Sequence, residues 1–174
     1  MKELQKAVSV GGGKLQDNMK HFEKWERGEN PGPLSLEIGC VQGCNLSCAH
    51  CAAQLYDPFD TKINYFNNSE ALINLLNDFK LLGGQEVYFA GTGEPTINPN
   101  LADWMEHGND IGLDMSISTN GILFKGERMR RLLHSTKWIR FSVSAGDVSS
   151  YVKVHNRKES NFDILFRHIE KAIE

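Results

Sequence analysis

A chain of 174 residues with a net charge of -3 has room for one domain with a real core and too little for two. Acids and bases are spread along it, so no basic stripe marks a nucleic-acid backbone as partner. No apolar run nears the ~20 residues of a membrane helix, and the N-terminus MKELQKAVSVGGGKLQ lacks the apolar segment of a signal peptide, so a cytoplasmic protein is expected.

In chain order, GGGK at 11–14 is a flexible break, residues 15–29 carry the pattern of an amphipathic helix, and NPGP at 30–33 stops it. Residues 1–33 are expected to form an N-terminal extension and 34–174 the core domain. LSLEIG (34–39) alternates like a strand and runs into GCVQGCNLSCAHCAAQ (39–54), which holds all four cysteines of the chain. DPFDTKINYFNN (57–68) reads as irregular, and SEALINLLNDFKLLGG (69–84) as a helix with Ser69 as N-cap and Gly83-Gly84 as terminator.

The unit recurs. EVYFAG (86–91) reads as a strand, TGEPTINPN as a loop and LADWMEHGNDIG as a helix; LDMSIST (113–119) is a strand, NGILFKGE a loop and RMRRLLHST a helix. WIRFSVSA (138–145) is the last strand, followed by a short helix around DVSSYVKV and a final helix over 161–174. Four strand-helix units in succession predict an α/β fold with a parallel sheet and right-handed crossovers. In such sheets functional residues gather at the C-terminal strand ends, where the cysteine loop, GTGEP, STNG and SVSAGD all fall.

A reducing compartment disfavours structural disulfides, so clustered thiols point to metal or redox chemistry. Structural zinc sites usually pair two short knuckles across a longer spacer, which this compact loop lacks. Closely spaced thiolates on one loop can instead wrap one side of an iron-sulfur cubane. The six histidines form no visible metal-binding motif.

CNLSCAHC (44–51) resembles the C-x3-C-x2-C signature of the radical S-adenosylmethionine (radical SAM) enzymes. Starting the motif at Cys40 would demand a cysteine where Ser47 stands, so Cys44, Cys48 and Cys51 fit and Cys40 is a packed extra thiol. The resemblance implies that these three bind a [4Fe-4S] cluster whose fourth iron is chelated by S-adenosylmethionine. FAGTGEP is similar to the family's GGEP segment, with Thr92 in place of the first glycine, and implies that Gly93 and Glu94 meet the cofactor's amino group.

ISTNG (117–121) resembles the family's polar strand end, which makes Ser118, Thr119 and Asn120 cofactor contacts, although Asn120-Gly121 also reads as a capped turn. In the 138–157 segment Ser142 matches a serine that holds the carboxylate or ribose, and Ser144 replaces an acid. Arg157 could pair with the carboxylate or be solvated surface; His50 could pack near the adenine or be an ordinary loop residue.

The resemblance implies a partial (β/α) barrel with about four of the usual six units, so the chain is expected to be a truncated product, a fragment of a longer reading frame, or a protein completed by a partner or by self-association. It implies an enzyme in which reduction of the cluster cleaves S-adenosylmethionine to a 5′-deoxyadenosyl radical that abstracts hydrogen from a substrate. That substrate, a peptide or small metabolite, is unidentified; a flavodoxin or ferredoxin is the expected reductant, and neither nucleic acid nor membrane is an expected partner. As a fragment, the chain alone would catalyse poorly. A noncatalytic iron-sulfur or electron-transfer module and a structural zinc domain are the other readings.

Overall fold

The computed structural model describes residues 18–53 and 63–174. Helix α1 (Met19–Glu26) is shorter than the helix expected over 15–29, whose first three residues lie outside the described ones. It buries none of its residues and ends where Gly28 takes a left-handed φ of 77°.

Four strands form one parallel sheet: β1 (Ser35–Ile38), then β4 (Glu86–Phe89), β5 (Asp114–Thr119) and β6 (Trp138–Phe141), side by side in that order. Between β1 and β4 lie β2 (Val41–Gln42) and β3 (Asn64–Tyr65), which pair antiparallel as a two-residue ribbon. The sequence gives no alternation long enough to signal this ribbon, and residues 57–68 read there as irregular; 57–62 lie outside the described residues.

The crossovers run through α2 (Ser69–Leu81), α3 (Leu101–Asp110) and α4 (Gly126–Ser135), with α5 (Val148–His155) and α6 (Ser160–Ile173) following β6. Each new strand is added on the same side of the last, so right-handed crossovers place the helices on one face. That face is the core: Val87, Phe89, Met115 and Ile117 pack with Leu76 and Phe79 of α2, Trp104 and Met105 of α3, and Leu132 of α4. Period-two alternation turns the intervening residues to the other face. There Arg140 lies 5.6 Å from the Tyr88 ring centre and donates from Nε to Ser118 Oγ at 3.1 Å, beside the Tyr88–Trp138 pair. The result is an arc of a barrel, apolar outside under its helices and polar on its inner face.

Two local expectations need correction. Helix α2 is capped by Asn68, whose Oδ1 accepts from Ala71 N at 3.1 Å, while Ser69 is the first helical residue and accepts from Trp104 Nε1 at 3.1 Å. Strand β6 ends at Phe141 instead of 145 because the chain turns out of the sheet directly after it: Val143 N donates back to Phe141 O at 3.1 Å, and Ser144 then adopts a left-handed φ of 51°. Among the described residues no helix is long and apolar enough to cross a membrane.

Candidate active site

The cysteine loop leaves the ribbon at Gly43, whose φ of 103° favours glycine. Its shape is fixed from far along the chain. A helix leaves its last carbonyls without intrahelical partners, and the end of α5 offers two of them to the loop: Ser47 N donates to His155 O at 3.3 Å and Ala49 N to Val154 O at 2.8 Å. Asn156 then takes a left-handed φ of 50°, and Arg157 Nε donates to Asn45 O at 2.9 Å. His155 completes the clasp, with Nδ1 2.9 Å from Cys48 Sγ and Nε2 2.6 Å from Val143 O.

Cys44, Cys48 and Cys51 are half-buried, whereas Cys40 is 2% exposed and part of the apolar core. Burial pushes the Cys40 thiol up to about 12 and that of Cys48 to about 11. For Cys48 the neighbouring charges of Cys44 and Cys51 add to burial, and burial likewise raises Cys44, where hydrogen bonds from Leu46 N and the Asn120 amide act in the opposite sense. Cys44, Cys48 and Cys51 thus share one electrostatic neighbourhood.

Three thiolates held so close repel one another, and a positively charged centre removes the conflict. Among the described residues no group of three or more His, Cys, Asp or Glu side chains is arranged to hold a single metal ion. A cubane needs no such convergence, since its separate iron corners each meet one thiolate. Three half-exposed thiols on one loop are a donor set that fits such a cluster.

Facing the loop is the turn after β4. A Cβ on Gly93 would sit 2.3 Å from Val41 O and 2.6 Å from Gly43 O, so only glycine lets this turn lie against the loop. Glu94 N donates to Gly43 O at 3.1 Å. The Glu94 side chain, 3% exposed, accepts from four donors: Thr96 N (3.1 Å), Thr96 Oγ1 (2.5 Å) and Thr119 Oγ1 (2.7 Å) at Oε1, and Asn120 N (2.7 Å) at Oε2. It joins the ends of β4 and β5, and Oε2 keeps a lone pair for a further donor.

The sequence of residues 38–174 matches the family model of the Radical SAM superfamily. The chain belongs to the Radical SAM superfamily. Its family's cofactors are a [4Fe-4S] cluster and S-adenosylmethionine. Over 100 residues it is 32% identical to the tungsten-containing aldehyde ferredoxin oxidoreductase cofactor-modifying protein of Pyrococcus furiosus, covering 57% of this chain and 26% of that protein. Over 138 residues it is 31% identical to the S-adenosylmethionine-dependent nucleotide dehydratase of a Thermoplasmatales archaeon, covering 79% and 48%. The fold matches Streptococcus suis SuiB bound to S-adenosylmethionine with a TM-score of 0.66 at 20% identity, covering 99% of this chain and 41% of SuiB. In each case this radical SAM chain spans less than half of the protein it matches.

The fold brings Cys44, Cys48, Cys51, Gly93, Glu94, Thr119 and Asn120 together at one rim. Ser142 is half-buried there, its N–H donating to Thr119 O at 2.8 Å. Ser118 points the other way, to the inner face and Arg140, because neighbours on a strand alternate sides. His50 is exposed, its ring 6.3 Å from that of His155 and edge-on to it. Arg157 is exposed and braces the loop backbone.

Sequence reasoning missed His155 and Asn98. Asn98, fully buried, donates from Nδ2 to Cys40 O at 3.1 Å and Phe66 O at 2.8 Å, and its own carbonyl accepts from Arg128, so it pins the ribbon beneath the loop. An Asn in INPN carries no local signal of a partner so distant in sequence, and the one signal for His155 is its place directly after the helix expected around DVSSYVKV.

Proposed function

We propose that the chain is the core, over residues 34–174, of a radical SAM enzyme in which Cys44, Cys48 and Cys51 ligate a [4Fe-4S] cluster. What carries this reading is the apposition of the three-thiol loop to the Gly93–Glu94 turn, with carbonyl oxygens within 2.6 Å of where a Gly93 side chain would begin. Such a cluster with bound S-adenosylmethionine supplies one-electron cleavage of the sulfonium carbon–sulfur bond, giving methionine and a 5′-deoxyadenosyl radical that takes a hydrogen atom from the substrate.

The residues divide the work. The thiolates hold the cluster, and the clasp from α5 keeps their loop in one shape. Glu94 Oε2 accepts from the cofactor's ammonium, and the glycine turn lets the cofactor approach the backbone. Thr119 and Ser142 line the same rim, Arg157 and His50 border the loop on its exposed side, and Ser118 looks onto the inner face. That polar inner face, with Tyr88 and Arg140, receives the substrate. A peptide is the first substrate class to try, since SuiB has been seen bound to its precursor peptide SuiA. The electron comes from a flavodoxin or ferredoxin.

The test is anaerobic reconstitution with iron and sulfide, reduction, and electron paramagnetic resonance with and without S-adenosylmethionine. A cubane signal that shifts with the cofactor is expected. A cluster indifferent to the cofactor would point to an electron-transfer module, and colourless protein with stoichiometric zinc to a structural zinc domain.

A further inference from the structure

We propose that Asn120 is a positioning residue for electron transfer: its side-chain amide donates a hydrogen bond to Cys44 Sγ and so sets how readily the cluster is reduced. The proposal rests on Cys44 being a cluster ligand. Asn120 Nδ2 lies 3.5 Å from Cys44 Sγ and 2.7 Å from Asn45 Oδ1, while Asn120 Oδ1 accepts from Ile122 N at 3.1 Å.

The orientation of the amide follows from chemistry. A backbone N–H can only donate, so the atom facing Ile122 N is the oxygen and the nitrogen must face the sulfur. Both amide hydrogens then have acceptors within the protein. The backbone is held on either side, by Asn120 N on Glu94 Oε2 at 2.7 Å and Gly121 N on Thr119 Oγ1 at 3.0 Å. Asn120 is 6% exposed, so little water is at hand to replace the donor. Leu46 N gives Cys44 Sγ a second hydrogen bond at 3.4 Å, whereas the polar neighbour of Cys48 is the His155 ring.

A thiolate ligand gains negative charge when its cluster takes up an electron. An N–H donor aimed at it favours the more negative state, and the effect is larger away from water. The step is one electron entering from an outside low-potential reductant, with no bond broken and no proton moved at Asn120. Asn120 thereby makes the cluster easier to reduce.

The test compares the wild type, Asn120→Ser and Asn120→Asp, each reconstituted anaerobically, titrated with dithionite through redox mediators without S-adenosylmethionine, and read by paramagnetic resonance. Serine can still accept from Ile122 N in a turn but is too short to reach Cys44; aspartate keeps the shape and cannot donate. Asn120→Ser is expected to disfavour reduction about tenfold, a midpoint ~59 mV more negative for a one-electron couple, with Asn120→Asp further in the same direction. A fully loaded Asn120→Ser protein with the wild-type midpoint would overturn the proposal and leave the cluster assignment standing. Loss of the cluster from both variants alone would also overturn it, making Asn120 a residue that holds the loop. No cluster in the wild type would overturn the functional reading and this proposal together.

Discussion

His155 Nδ1 lies 2.9 Å from Cys48 Sγ although 107 positions separate the two residues. The imidazole is held on every side: Nε2 meets Val143 O, and the Tyr151 ring centre is 4.3 Å away. A side chain 1% exposed and fixed this way makes the shape of the cysteine loop depend on the folding of α5.

Replacing His155 by alanine is expected to cost about 3 kcal/mol in urea unfolding, through the cavity and the lost bonds. Iron retained after reconstitution and desalting should fall as well. His155→Phe, which restores volume without either nitrogen, should recover part of the stability and none of the iron. Wild-type iron content in His155→Phe would show that the ring acts by filling space alone.

Gly93→Ala places a methyl group against two carbonyl oxygens, those of Val41 and Gly43, and neither can move without displacing the ribbon or the loop. A loss of about 2 kcal/mol is expected, with cluster content well below wild type. Gly146→Ala, whose added Cβ meets nothing within 4 Å, is the control and should match the wild type in thermal melting and in iron content.

Glu94→Gln exchanges one carboxylate oxygen for a donor in a pocket where four groups donate to that side chain. At least one donor is left facing another, at a cost of about 2 kcal/mol. The amide exchange of Asn120 should quicken, since its N–H is bound to Oε2. Unchanged exchange there would argue against the carboxylate as the tie between β4 and β5.

The buried Cys40 thiol separates a three-cysteine site from a four-cysteine one. Cys40→Ala should keep full iron, whereas Cys44→Ala, Cys48→Ala and Cys51→Ala should each lose it. With its folded value raised from 9.0 to about 12, Cys40 contributes stability that is fully present below pH 9 and is lost as pH rises through about 12. Wild type should therefore lose stability faster than Cys40→Ala above pH 9. At pH 8, iodoacetamide should spare Cys40 in the folded protein.

The recurring strand-helix units, their parallel order and the C-x3-C-x2-C loop were legible in the sequence, because periodicity and short spacings are local. EVYFAG read as a strand, but which of its sides is core was not legible, since aromatic Tyr88 stands between Val87 and Phe89. The packing of Cys40 into the core was expected too, once the resemblance to the family's motif had set the register. The two-residue ribbon was not, since two residues cannot display a period. Nor could the chain's order reveal that Thr119 and Asn120 converge on Glu94 while Ser118 turns away, or that the end of α5 clasps the cysteine loop. Those relations join residues 22 to 112 positions apart. They exist only once right-handed crossovers have curled the sheet and brought the C-terminal ends of its strands to one rim.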